Sequence, residues 1–319
     1  MRILIILGHN RLTGVNLWAN DLSNELIKKG HQVHFHISPD KDNEINYVPG
    51  YTVFYEKIIN NMFDDKGTWF GDYDVIILNY SIHEDMIKNV NVPVIFVSHG
   101  SMEEWYFPKY KHECHVGISD RVKEDLGCDK VVYNGVNINE FYSNTSISVK
   151  PFSALYLYRG DVPTALNIVC ENLGIELHHG RLMPNVSEAI NMVDFVIGYG
   201  RSIYEGMACG RPSLVYGVNG CDGWVNEWNF KEFLRGNCSG WYTQCKYDLN
   251  GLQNLIQKYD WRQGKINKRL IEENLSLEIM GDTFERIIIG VVKEYDERQD
   301  TGKLRRVENH LSYGGHSYT

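Results

Sequence analysis

The amino-acid sequence predicts an α/β protein built as two consecutive units, each a parallel sheet with helices on both faces, set around a cleft. Short apolar runs recur along the chain with helical patterns between most of them, the alternation that such sheets produce. The alternation restarts after a polar stretch ending in proline, residues 142–151 (YSNTSISVKP), which reads as a linker. The length, 319 residues, suits about two domains.

Each element follows in order. A strand over residues 2–7 comes first, and Val15, Trp18, Leu22 and Leu26 follow at helical spacing until Gly30 closes the helix. A strand around 33–37 is next, then apolar runs at 74–80 (DVIILNY), 92–97 (VPVIFV) and 115–118. The second cycle begins with SALYLY at Ser153. Residues 276–298 carry a helical pattern, and the polar tail 299–319 is predicted to be disordered.

Composition narrows the function classes. Hydrophobic residues at 43% and charged residues at 23% are ordinary for a globular protein. A formal net charge of −9 argues against general attraction to nucleic acid or anionic membrane, so any membrane association is expected to be peripheral. The opening MRILIILG is too short to cross a bilayer and lacks the small-residue cleavage site of a signal peptide. Seven cysteines without a C-x-x-C pair fit a reducing, cytoplasmic setting better than a disulfide framework.

The most informative stretch is residues 194–217, DFVIGYGRSIYEGMACGRPSLVYG. It reads as strand, glycine loop, short helix, strand. Gly198 and Gly200 free the backbone to turn, and Ser202 with Glu205 has the S-x-x-E spacing of a capping box. Gly210 ends the helix and Pro212 prevents its resumption. A glycine loop feeding a helix N-terminus suits a phosphate or another anion, and Arg201 would add a permanent charge there. Spacing leaves two roles open for Glu205: a helix cap, or a carboxylate holding ribose hydroxyls.

Further motifs carry a resemblance. VGISDRVKEDLG followed by KVVYNGVNINEF, with Asn134-Gly135-Val136-Asn137 and Phe141, resembles the domain-junction pattern of retaining glycosyltransferases of family 4. Glu205-Gly206-Met207-Ala208 with Gly210-Arg211-Pro212 resembles that family's nucleotide-sugar motif. The match runs in order over roughly residues 1–290, with the two motifs about 70 residues apart. The resemblance implies the GT-B fold: a Rossmann-like acceptor-side domain over 1–145, a Rossmann-like nucleotide-sugar domain over 146–275, and a helix over 276–298 crossing back onto the first. It implies sugar transfer from a nucleoside diphosphate donor of UDP or GDP type, with retention and no metal cofactor, to an acceptor that is a glycan, lipid, small molecule or protein. The implied catalytic set is His99, Arg201 and Glu205. The implied donor site adds Gly14, Asn134, Arg159, Gly180, Arg181, Gly200 and Ser202.

The chain departs from the family pattern at two places. The family's E-x7-E pair would need a carboxylate at position 197, which is Ile197, and no Lys follows Arg159 within the run Gly160-Asp161-Val162-Pro163-Thr164. No Asp-x-Asp stands out as a metal site, and Asp120, Asp125 and Asp129 read as solvated helix and turn charges. His112-Glu113-Cys114-His115 invites a metal reading, but neighbouring strand positions point to opposite faces. His31, His34 and His36 read as packing or surface residues, and Arg211 as a positional residue bonding helix carbonyls or a surface acid. The aromatic segment with Trp224, Trp228 and Phe230 is open between core and sugar stacking. Rival functions are a nucleotide-sugar epimerase of GT-B fold, a non-catalytic sugar-nucleotide-binding module, and a nicotinamide dehydrogenase. The last is disfavoured because Gly8 to Gly14 (GHNRLTG) is not G-x-G-x-x-G.

Overall fold

The structure is a computed structural model that describes residues 1–7, 13–37, 72–79, 90–101, 107–109, 112–158, 160–180, 185–217 and 219–313, with residues 302–313 as backbone only. The first sheet is wholly parallel. It contains β1 (Arg2–Leu7), β2 (Gln32–Ile37), β3 (Val75–Leu78), β4 (Val94–Ser98), β5 (Cys114–Gly117) and β6 (Lys130–Val131), in the order β2-β1-β3-β4-β5-β6. Helices α1 (Gly14–Lys28) and α2 (Asp120–Leu126) belong to its connections. Apolar residues occupy both faces. Ile3, Ile5 and Leu7 pack with Trp18, Leu22 and Leu26 of α1, while Leu4 and Ile6 pack with Tyr73 and Phe96 on the other side. A strand buried on both faces has to be continuously apolar, which is why RILIIL does not alternate.

The second sheet repeats the plan with β7 (Ser153–Leu157), β8 (Glu176–His179), β9 (Phe195–Gly198), β10 (Ser213–Gly217) and β11 (Gly220–Trp224), ordered β11-β10-β9-β7-β8. Helices α3 (Thr164–Leu173), α4 (Val186–Asn191) and α5 (Arg201–Ala208) connect its strands. The strands are parallel except β11, an antiparallel edge that the sequence pattern does not announce. Tyr156, Phe195 and Ile197 face one core, and Leu155, Leu157 and Val196 the other. In each sheet the order reverses beside the first strand, between β1 and β3 and between β7 and β9, and such switch points bind ligands beyond the strands' carboxyl ends.

After β11 come α6 (Phe230–Arg235), α7 (Leu249–Ile256), α8 (Gln263–Asn274) and α9 (Leu277–Tyr313). Helix α9 returns to the first sheet, where Leu277, Met280, Phe284, Ile288 and Val291 join the core containing Trp18. His31 Nε2 meets Glu285 at 2.8 Å, and Lys29 pairs with Asp282 and Glu285. The helix begins against the Asn134-Gly135-Val136 turn. A Cβ on Gly135 would come within 3.0 Å of Leu277 Cα and Met280 Cβ, so the glycine permits this close approach. The helix also runs past residue 298 to Tyr313, so residues 299–313 are helical where their polarity predicts disorder. Helix propagation adds a hydrogen bond per residue once a turn exists, which a composition reading ignores. No helix among the described residues is long and apolar enough to cross a membrane.

The predicted linker is a strap rather than a loose tether. Arg211, 1% exposed, donates to the carbonyls of Ile190, Asn191 and Thr145 and to the Thr145 hydroxyl. Asn191 donates to Tyr142 O and accepts from the Asn144 amide, and Asp194 accepts from the amides of Ser148, Phe152 and Ser153. The polarity that marks these residues as linker is the chemistry that pins them. Arg211 bonds helix carbonyls as expected, but from the interior, and no carboxylate pairs with it among the described ion pairs. Burial accordingly pulls its pKa down. Removing a buried, fully bonded charge strands its acceptors, so Arg211→Met is expected to cost about 3 kcal/mol in urea unfolding at unchanged m. A loss under about 1 kcal/mol would assign the strap's stability to other contacts.

Candidate active site

The predicted nucleotide loop forms a turn at the second sheet's switch point. Gly200 adopts φ 59° and ψ −132°, a conformation that a side chain disfavours, and it precedes α5 as N-cap. Its amide donates to Cys238 O at 2.9 Å. The Ile203 and Tyr204 amides return to Gly200 O, while the Arg201 and Ser202 amides have no acceptor among the described residues. Two unpaired N–H groups at a helix start attract an anion. The capping box is not formed. Ser202 lies inside the helix with its hydroxyl donating to Leu157 O at 3.2 Å, and Glu205 caps nothing. Leu157 also crosses Gly180, where a Cβ would sit 2.4 Å from Leu157 Cδ2. Gly180, Gly200 and Ser202 thus gather around the carboxyl end of β7.

Glu205 is instead half of an ion-pair bridge between the sheets. Arg201 Nε donates to Glu205 Oε1 at 2.7 Å, and Arg201 Nη1 lies 2.7 Å from Asp21 Oδ2, on α1 beside the first sheet. All three side chains are largely buried. Burial disfavours the arginine's charge, yet the two carboxylates outweigh it and raise its pKa. Glu205 moves up as well: burial comes first, and the single guanidinium that it shares with Asp21 does not fully compensate. The sequence places Arg201 at the mouth as a permanent charge, and in the structure that side chain is engaged on both sides.

The other predicted residues divide between the two sheets. Gly14 is the first residue of α1, after Thr13, whose hydroxyl accepts from the Asn16 amide, and among the described residues no atom beyond its own neighbours and helix lies within 4 Å of where a Gly14 Cβ would stand. His99 follows β4. Asn79 donates to Ile6 O at 3.2 Å, so its oxygen is the acceptor facing His99 Nε2 at 2.9 Å, which sets the Nε2–H tautomer. The His99 ring meets Trp18 edge-on at 4.9 Å, and burial lowers its pKa to about 3. Asn134 Nδ2 donates to Asn237 Oδ1 at 3.4 Å, the atom that also accepts from the Tyr204 hydroxyl at 3.0 Å, while Asn134 Oδ1 is buried without a partner. Arg159 and Arg181 lie outside the described residues.

Helix α1 holds the two residues that sequence reasoning missed. Trp18 and Asp21, three positions apart on one helix face, touch His99 and Arg201 respectively. A signal was available: Asp21 adjoins Leu22 on a stripe otherwise read as core. Ile197, where the family pattern needs a carboxylate, is fully buried in β9 between Tyr156 and Leu214, one residue before the strand ends. Asp72 and Asp74, an Asp-x-Asp, bind Arg2 at the opposite end of the first sheet. Asp125 and Asp129 are engaged by Arg121 and by the His115 amide. His115 is buried and bonded to Ser98 at 2.7 Å, and His34 and His36 are buried within β2. Phe230 is core and Trp224 donates to Leu255 O, whereas Trp228 is 86% exposed.

No protein-family model matches the sequence, and no curated protein matches it. Solved structures share its fold. AviGT4, a glycosyltransferase involved in avilamycin A biosynthesis, superposes with a TM-score of 0.59 at 10% identity, over 92% of this chain and 98% of its own. TarM gives 0.57 at 10% identity, over 90% and 98%. An alpha-glucosyltransferase in complex with UDP-glucose and DNA containing an abasic site gives 0.53 at 12% identity, over 91% and 99%. The chain therefore has the GT-B fold, two α/β units with parallel sheets. At these identities the likeness is one of fold.

Two measurements check the electrostatics. His99 is expected to stay neutral down to about pH 5 in an NMR titration, with the proton on Nε2. The unfolded chain's histidine protonates near pH 6.5 and the folded one only near 3. The unfolded state thus binds more protons in this window, stability falls as pH drops through it, and His99→Gln flattens that slope. A His99 midpoint near 6.5 would refute the assignment. For the bridge, a double-mutant cycle of Arg201→Gln and Asp21→Asn is expected to give a coupling of about 1–3 kcal/mol, and additivity would show no shared interaction.

Proposed function

We propose that the protein transfers a glycosyl group from a nucleoside diphosphate sugar, of UDP or GDP type, to an acceptor. The observation that carries this reading is the α5 N-terminus: its Arg201 and Ser202 amides have no acceptor among the described residues, and the same helix carries the buried Glu205 carboxylate, on a fold shared with solved glycosyltransferases. One of these, the alpha-glucosyltransferase, is in complex with UDP-glucose, which makes UDP the first donor to test. In this reading, the Arg201 and Ser202 amides and the helix dipole receive the diphosphate as negative charge develops on it. Glu205 accepts hydrogen bonds from the ribose hydroxyls, and Arg201 turns from Asp21 toward the phosphates. Gly14 leaves room for the diphosphate at the opposite helix start. Arg159, Gly180 and Arg181 line the donor from the second sheet, and Asn134 from the junction. Neutral His99 would orient the donor sugar by hydrogen bonding. Its low pKa unsuits it to acid catalysis near neutrality. The leaving phosphate then takes the acceptor's proton as the new glycosidic bond forms on the same face, with retention and no metal cofactor.

The domain partition belongs to this proposal too: residues 1–145 receive the acceptor, residues 146–275 the donor, and the helix from 276 ties the second to the first. One observation favours a second reading, a non-catalytic sugar-nucleotide binder. Ile197 is core, so the family's other carboxylate has no counterpart at its motif position. Calorimetry separates the cases. UDP or UDP-glucose is expected to bind, and Glu205→Gln to weaken binding about tenfold, roughly 1.4 kcal/mol, with unchanged circular dichroism. No nucleotide binding at all sinks both readings. Binding without transfer to any acceptor pool selects the binder, and conversion of donor alone selects the epimerase.

A further inference from the structure

We propose that Cys221 and Cys245 form a reversible disulfide when the protein meets an oxidised thiol of the glutathione disulfide class. The two residues are direct partners in an antiparallel bridge, and the Cys221 amide donates to Cys245 O at 2.9 Å. Residues opposed in this way project their side chains from the same face, with Cα atoms about 5.5 Å apart, inside the span that a disulfide closes. Neighbouring contacts hold the spacing. The Thr243 hydroxyl donates to Cys221 O and the Thr243 amide to Asp222 Oδ1, each at 2.7 Å. No other strand register among the described residues sets two cysteines opposite each other.

Exposure sets the order of the exchange. Cys245 is partly exposed, whereas Cys221 is 1% exposed and burial pushes its thiol up to about 12. The Cys245 thiolate attacks one sulfur of glutathione disulfide and expels a glutathione thiolate. Cys221 then loses its proton to solvent and attacks the Cys245 sulfur of the mixed disulfide, expelling the second glutathione thiolate. Both protein thiols are oxidised and one glutathione disulfide becomes two thiols. The bond would close the base of the segment that reaches the candidate active site, where Cys238 O accepts from Gly200 and Asn237 binds Tyr204 and Asn134. Asn237 and Cys238 hold positive φ angles of 57° and 46° there, and a fastened base would restrict their relaxation.

The full-length protein is incubated with glutathione disulfide, alkylated under denaturing conditions and mapped by mass spectrometry. The expected product is a single linkage between Cys221 and Cys245, with loss of two alkylatable thiols and recovery of both on reduction. Cys245→Ser is expected to leave Cys221 fully alkylatable, and the oxidised wild type to melt a few degrees higher than the reduced form while Cys245→Ser shows no such rise. Glutathione retained on Cys245, a linkage through another cysteine, or no oxidation overturns the proposal. None of these readouts depends on sugar transfer, so the disulfide and the transferase reading fail separately.

Discussion

One guanidinium shared by two carboxylates from opposite sheets is the interaction on which the candidate site depends. Arg201 reaches Glu205 one helical turn on and Asp21 across the cleft, each at 2.7 Å. Breaking a buried pair leaves an uncompensated charge, at a cost on the order of 3–5 kcal/mol. Arg235, which also spans the two sheets by meeting Glu124 at 3.1 Å, is more than half exposed and contributes little by comparison. The buried bridge is therefore the polar contact that fixes how α1 faces α5. It is also a contact that an anion is suited to perturb. Two carboxylates share one arginine, and in the proposed function a diphosphate at the α5 amides would compete with Asp21 for that guanidinium.

The sheets explain why these helices meet. Each has its order reversal beside its first strand, the topological arrangement that leaves room beyond the strands' carboxyl ends. Helix α1 starts over one such end, and α5 starts where β9 finishes against β7. The chain leading into helix α9 adds a second tie: it leaves the second sheet's core at Leu275, pairs with Val136 at the Asn134-Gly135-Val136 turn, and enters the first sheet's core at Leu277. The chain thus crosses between the sheets twice at nearly the same place.

What was legible in the sequence follows from how local each cause is. Strands buried on both faces are continuous apolar runs, so RILIIL, VPVIFV and SALYLY mark their positions, and the glycine loop before α5 shows itself by composition. The capping box failed because S-x-x-E specifies a spacing and not a helix start: Gly200, with its positive φ, begins the helix earlier and carries Ser202 inside. Residues 142–151 connect the two sheets, but how firmly they are held was not legible. Polar side chains that bond a buried arginine look like polar side chains that bond water. The Asp21 contact was beyond reach because its partner lies far away in the chain, and only a carboxylate on an apolar stripe hinted at it.

Ile197 and His99 together constrain what chemistry the cleft can perform. In the proposed reaction, a buried isoleucine in β9 would offer no carboxylate to a donor sugar, and a histidine held neutral by burial would offer no proton near pH 7. Neither the usual carboxylate position nor the strand-end histidine supplies an acid or base. What the site retains among the described residues is fixed polarity: amides without an acceptor at a helix start, a buried carboxylate and a guanidinium held between two carboxylates. Such groups act by stabilising charge where it appears rather than by moving protons. A reaction whose leaving group is itself a good proton acceptor needs nothing more from the protein, and departure of a nucleoside diphosphate meets that requirement.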